Sequence, residues 1–158
     1  MTSLAAASLR ERVEALYYEY GEAIDEELER WPDFFTEDAL YKVIPRENYD
    51  RGLPLASILC EGRGMILDRV MAVRKTVVHA KRLMRHMITN IRVHTAGDEI
   101  LARANFAIFE TFEESTSRLF VVGRYIDRIV ETGGVLQFAE KLSVFDGDLV
   151  QGSLIYPL

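Results

Sequence analysis

Residues 100–131 run ILARANFAIFETFEESTSRLFVVGRYIDRIVE, and the period of this stretch decides the fold. One parity of its first half holds Ile100, Ala102, Ala104, Phe106, Ile108 and Phe112, spaced by two as a pleated strand requires. Glu113-Glu114-Ser115 then marks a turn, and a second alternating run begins near residue 117. The two runs predict paired strands over 100–113 and 117–131. A half-buried strand should be apolar on one parity only. Here the opposite parity still carries Leu101, Ala107 and Phe109 in the first strand, and Phe120, Val122, Ile126 and Val130 beside Arg124 and Arg128 in the second. Helices can cover one side of such a sheet. The other side calls for a second chain, or for a deeply curled sheet roofed by its own loops.

Outward from this hairpin, turn signals at Ala96-Gly97-Asp98, Thr132-Gly133-Gly134 and Asp146-Gly147-Asp148 delimit further strands at 83–95, 135–146 and 149–156. Upstream the period changes to three and four. Leu9, Val13, Leu16, Tyr17, Tyr20, Ile24 and Leu28 form one stripe of a helix over 8–29, which Ser8 and Glu11 begin with capping-box spacing. Trp31-Pro32-Asp33-Phe34-Phe35 predicts a short second helix that plugs the base of the core, and 39–45 a strand that Pro45 ends. Residues 46–62 form a long irregular connection, and Ile66, Val70, Val73 and Val77 line a helix over 63–79. Helices followed by hairpins give an α+β fold, a curved antiparallel sheet of five to six strands wrapped on N-terminal helices, in one domain spanning 1–158 with 1–7 flexible.

Composition narrows the function. A chain of 158 residues can bury a core without staples, and a formal net charge of -6 disfavours binding to nucleic acid, where cations must neutralise phosphates. The first residues lack a basic and apolar leader and no apolar run approaches a membrane span, so the expected location is the cytoplasm. The single cysteine, Cys60, supplies neither a disulfide nor paired thiolates, and suits a buried apolar position.

The histidines are His79, His86 and His94, without His-x-x-x-His or Cys/His spacing, so no metal site is expected in the chain. Gly62-Arg63-Gly64 lacks the rest of a phosphate cradle, and no nucleophile elbow occurs. The one acid–base constellation to be assembled centres on His86, with Tyr41, Asp25 or Asp38 as neighbours. It would suit a free-standing isomerase or dehydratase. A ligand-binding or interaction module is a third possibility, since fold alone does not fix function.

Trp31-Pro32-Asp33-Phe34-Phe35, Tyr41-Lys42-Val43, Pro45-Arg46-Glu47-Asn48-Tyr49, Gly52-Leu53-Pro54-Leu55, Met65-Ile66-Leu67-Asp68-Arg69-Val70, Arg85-His86 and the ending Ile155-Tyr156-Pro157-Leu158 occur in this order along the chain. Together they resemble the small (beta) subunits of Rieske-type aromatic-ring hydroxylating dioxygenases, most nearly those of salicylate hydroxylase and of terephthalate and anthranilate dioxygenases. The resemblance implies a cone fold, cystatin-like and shared with scytalone dehydratase. It implies a non-catalytic structural subunit without a cofactor of its own. It also implies a large subunit that holds a Rieske [2Fe–2S] cluster and a mononuclear Fe(II), assembled with small subunits as an α3β3 hexamer in which the small subunits form a trimer. Ferredoxin and a separate NAD(P)H-dependent reductase would deliver electrons, and an aromatic carboxylate such as salicylate or a related benzoate would be the substrate. No catalytic, cofactor-binding or metal residue is assigned to this chain. The candidate interface residues are Arg46, Glu47, Asn48, Asp68, Arg69, Arg85 and His86, whose charges would fix register more than affinity; an ion pair between Asp68 and Arg69 within the chain is the alternative.

A structural subunit should fill its cone with side chains such as Phe34, Tyr41, Phe106 and Phe138 and hold no acid–base pair within hydrogen-bond reach. An enzyme needs an open pocket with convergent polar groups.

Overall fold

A computed structural model describes residues 7–75, 82–147 and 154–158. Helix α1 (Leu9–Glu26) opens with the anticipated capping box. The Glu11 backbone N–H donates to Ser8 Oγ at 3.3 Å, and the Ser8 backbone N–H donates to Glu11 Oε2 at 2.7 Å. The helix is shorter than its apolar stripe suggested, because the chain tightens into a 3-10 helix over Leu28–Phe34 that contains Pro32. Strand β1 (Phe35–Pro45) follows, then α2 (Arg46–Asp50), β2 (Ile58–Glu61), α3 (Arg63–Lys75) and the strands β3 (Arg82–Ala96), β4 (Glu99–Phe112), β5 (Arg118–Thr132) and β6 (Val135–Phe145).

Two short elements therefore occupy the stretch expected to be irregular. Pro45 has the φ of -61° and extended ψ that suit an N-cap, and one helical turn is held by the i,i+4 pairs Arg46–Asp50 and Glu47–Arg51. Strand β2 buries Ile58 and Cys60 and exposes Leu59 and Glu61; four residues between turn formers are too few for a periodic signal. The far end of the expected third helix, with Val77 and His79, and most of the expected last strand lie outside the described residues. Residues 154–156 are not in a strand.

One six-stranded sheet has the order β2-β1-β6-β5-β4-β3. It is antiparallel except where β1 runs parallel to β6. Register shifts bend it. One lies in β3 between Thr89 and Arg92, where Asn90 takes a φ of 56°, and another in β6 between Phe138 and Glu140. The curled sheet wraps α1, whose Val13, Tyr17, Tyr20 and Ile24 pack against Phe106, Tyr125 and Phe138. Curling is tightest at Gly123. A Cβ there would lie 2.2 Å from the Val144 carbonyl oxygen and 2.8 Å from the Phe145 Cα, so only glycine fits between β5 and β6.

The bulge in β6 turns Lys141 into the core beside Ser143 and Phe145. Lys141 is fully buried, donates to Asp127 Oδ2 at 2.9 Å, and lies 3.5 Å from the Tyr125 ring centroid and 4.4 Å from that of Phe138. Asp127 also accepts from Tyr17 Oη at 2.5 Å and from the Leu142 N–H at 3.2 Å. Burial pulls the Lys141 ammonium down to about 8 and pushes the Asp127 carboxyl above its ordinary 3.8. Lys141→Met should cost about 3–5 kcal/mol at neutral pH, because it leaves a buried carboxylate without its cation. The folded variant then binds a proton at Asp127 more readily than the unfolded chain, so its deficit should shrink as the pH falls toward 3.8, in urea unfolding followed by circular dichroism.

Candidate functional site

Among the described residues the chain's own side chains fill the interior of the cone. Phe34, Tyr41, Phe106 and Phe138 are all buried there, as a filled cone requires. The segment 154–158 completes the filling, with Leu158 fully buried. Leu158 O accepts from Tyr20 Oη at 2.8 Å, Ser143 Oγ at 3.2 Å and Tyr41 Oη at 3.3 Å, while the Leu158 N–H donates to Tyr41 Oη at 2.8 Å. Arg69 on α3 holds the neck of the segment by donating to the Leu154 and Ile155 carbonyls, each at 3.1 Å. Arg82 stacks between the rings of Phe120 and Tyr156, 5.3 and 5.0 Å from their centroids, and pairs with the buried Glu110 at 2.8 Å. Cys60 is a buried apolar residue as anticipated, and burial pushes its thiol up, away from reactivity.

An acid–base pair does lie within hydrogen-bond reach, against the expectation for a purely structural chain. His86 Nδ1 stands 2.6 Å from Asp25 Oδ1, and the His86 N–H donates to Asp25 Oδ2 at 2.8 Å. Of the three neighbours considered for His86, the fold brings only Asp25. Tyr41 is engaged with Leu158, and Asp38 is exposed beside Thr36. The pair sits where the C-terminal half of α1 crosses the edge strand β3, and Gly21 makes that crossing close: a Cβ there would lie 3.2 Å from His86 Cβ. A groove of about 500 Å³ lined by Tyr18, Glu22, Glu26, Arg30 and Arg85 runs over it, yet both side chains of the pair are almost wholly covered. Its geometry is that of a pin holding the helix to the sheet edge. The bulge in β3 reverses parity downstream, so His94 faces outward opposite Leu101 whereas His86 faces inward opposite Ile108.

The remaining interface candidates divide by exposure. Arg46 is exposed and reaches Asp50 at 3.6 Å and Asp146 at 3.2 Å, Glu47 pairs with Arg51, and Asn48 Nδ2 donates to the Leu55 carbonyl. Asp68 is exposed, and Arg69 turns inward to the tail rather than to Asp68. Arg85 is exposed and stands 3.6 Å from Glu26. Arg69 and His86 thus do intrachain work.

The outer face of the sheet keeps the apolar parity noted in the sequence. Over β1 and β6, Ile44 and Val144 are buried near α2, outside the main core. Over the outer side of β3, β4 and β5 no helix lies among the described residues, and adjacent rows carry Met87, Ala107 and Val122, then Arg85, Phe109 and Leu119. Leu83 is 65% exposed, Met87 50% and Leu119 48%, a cluster larger than the scattered apolar residues of an ordinary surface. Among the described residues no group of His, Cys, Asp or Glu is arranged to hold a metal ion, and no helix is long and apolar enough to cross a membrane.

Sheet, bulges and helix-filled interior define the SnoaL-like domain, whose family description matches residues 5–141. Within it, the anthranilate 1,2-dioxygenase small subunit of Burkholderia cepacia is 32% identical over 139 residues, 87% of this chain and 86% of that protein. The solved beta subunit assigned to an aromatic-ring-hydroxylating dioxygenase of Novosphingobium aromaticivorans is 33% identical, with a TM-score of 0.85 over 94% of this chain and 96% of that one. The benzoate 1,2-dioxygenase beta subunit of Burkholderia mallei shares the fold, with a TM-score of 0.72 at 19% identity over 90% of this chain and 93% of that one. The chain belongs to the small subunits of aromatic-ring dioxygenases.

Asp25 was legible only as one of three options; what singles it out is the short-sided Gly21 on the same helix face, which lets β3 approach. Asp25→Ala should lower stability by about 1.5–3 kcal/mol through loss of a charge-assisted bond. Amide exchange at His86 should then rise by more than exchange in β5, measured by mass spectrometry.

Proposed function

We propose that this chain is the structural small subunit of a multicomponent oxygenase that hydroxylates an aromatic carboxylate, salicylate or a related benzoate. The observation that carries the reading is the pairing of a cone filled by its own side chains with an apolar patch of Leu83, Met87, Phe109 and Leu119 left exposed on the outer face of β3, β4 and β5 among the described residues. An isomerase or dehydratase would need an open interior with convergent polar groups. The relatives' names supply the partner: as a small subunit, the chain works with a large one.

In this proposal the large subunit holds the Rieske [2Fe–2S] cluster and the mononuclear Fe(II), and three copies of each subunit assemble in the cytoplasm, with the small subunits forming their own trimer. A ferredoxin and an NAD(P)H-dependent reductase feed the large subunit. The chain makes up a single small-subunit domain. The exposed candidates Arg46, Glu47, Asp68 and Arg85 and the half-buried Asn48 contact neighbouring subunits and set register, while Arg69 and His86 support that surface from beneath.

Purification of the tagged chain from its native host, followed by mass and iron analysis, tests the assignment. An iron–sulfur protein recovered in equal amount is the expected result. A chain that emerges alone, homogeneous and iron-free under gentle conditions would sink it, and His86 would become the first residue to examine for acid–base catalysis. Arg46→Ala and Asp68→Ala should each weaken assembly in analytical ultracentrifugation while leaving the fold unchanged. Unaltered assembly in both variants would remove these residues from the interface.

A further inference from the structure

The outer face of the sheet carries a row of unpaired cations in a chain whose formal net charge is -6. Arg92 on β3 stands directly opposite Arg103 on β4, and in the next row Thr89 and Asn105 lead to Arg124 on β5. Arg92 and Arg103 are exposed and Arg124 is half-buried. Among the described residues none of the three takes part in an ion pair, whereas Arg128 on the same face meets Glu99 at 3.1 Å and Glu140 at 3.8 Å. Like charges directly opposite each other on two strands destabilise a sheet. Carboxylates laid over the row would relieve that repulsion.

The chain itself offers such carboxylates. Helix α1 presents an outward stripe of Tyr18, Glu19, Glu22 and Glu26, all exposed. Glu26 stands 3.6 Å from Arg85, while Glu19 and Glu22 have no ion-pair partner among the described residues. Along the stripe runs the groove of about 500 Å³, lined by Tyr18, Glu22 and Glu26. Arg30 and Arg85 on its rim each answer one carboxylate, Glu27 and Glu26, and Asp25 is engaged with His86, so Glu22 is left in excess. α1 lies against the concave side of the sheet and the arginine row on the convex side, so the two do not meet within one chain.

We propose that a second copy of this chain lays its α1 stripe on the arginine row, with a guanidinium entering the groove against the Tyr18 ring and Glu22 as its counter-ion. Met87, Val122 and Leu119 beside the row supply apolar contact. The contact joins two different surfaces, and copies related by it form a ring where the rotation closes. The inference rests on the proposed function, whose small-subunit trimer is a ring of this kind.

Sedimentation velocity of the full chain at rising salt tests the contact. The unaltered chain should self-associate, and the association should weaken as salt screens the charges. Arg103→Glu and Glu22→Arg should each raise the dissociation constant about tenfold or more, because each sets like charges against one another across the contact. Both positions are exposed, so circular dichroism should show an unchanged fold. Combining the two substitutions in one chain restores opposite charges, and association should return to within about threefold of the unaltered chain. Should either variant fail to fold, Arg103→Gln and Glu22→Gln replace them and should weaken association several-fold. A chain that is monomeric at every concentration, an association indifferent to the substitutions, or a double variant no better than the worse single one overturns the inference. So does an effect of the Arg103 substitution alone, which would place some other surface on the row. Failure of the proposed function is distinguishable: an iron–sulfur partner recovered with a chain that does not self-associate sinks only the contact, whereas charge-dependent self-association without such a partner sinks only the assignment.

Discussion

The buried pair of Lys141 and Asp127 is the constraint around which the rest of the molecule is arranged. Charges of opposite sign within the core cost several kcal/mol each in lost hydration unless every polar atom is met. Here Asp127 is met by Lys141, Tyr17 and the Leu142 N–H, which ties α1 to β5 and β6 at once. The ammonium is then ringed by Tyr17, Tyr20, Tyr125 and Phe138, whose faces attract a cation. A β6 without its bulge would turn Lys141 out of the core and leave Asp127 without its cation, and a helix shifted by one turn would take Tyr17 away from Asp127. The pair thereby favours one register of helix on sheet.

From that register the division of the molecule into a closed inside and an open outside follows. The sheet must curl to reach α1 over its whole length, and Gly123 permits the curl by letting β5 and β6 approach where no side chain fits. Curling spends the inner parity of the strands on α1, the 3-10 helix, α3 and the tail. Among the described residues the convex parity over β3, β4 and β5 is left bare, with the apolar row of Met87, Ala107 and Val122 and the neighbouring Phe109 and Leu119 beside the polar row of Thr89, Asn105 and Arg124, although β1 and β6 receive cover beside α2. The chain belongs among dioxygenase small subunits, and under the proposed function that bare face is the one that meets another subunit.

Much of the fold was legible because it rests on local period: the capping box at Ser8, the stripe of α1, and the alternation in β4 and β5. The surplus apolar parity, visible as Leu101, Phe109 and Val122, already signalled an uncovered face. Features that depend on non-local pairing were not legible. In β6 the even positions Leu136, Phe138, Leu142 and Val144 look like the core parity, but a bulge after Phe138 sends Lys141 and Ser143 inward instead. The burial of Leu158, the use of Arg69 as a clamp on the tail, and the parallel pairing of β1 with β6 likewise join residues far apart in the chain. The sequence offered His86 three neighbours, and its partner Asp25 became unique only where α1 and β3 cross.

The most direct test of the account is hydrogen–deuterium exchange on the native assembly compared with the isolated chain. Slower exchange over 83–87, 105–109 and 119–124, with the strands facing α1 unchanged, is the result predicted for an outer face covered by another subunit. Equal exchange over those segments in the two states, with protection appearing elsewhere, would contradict it.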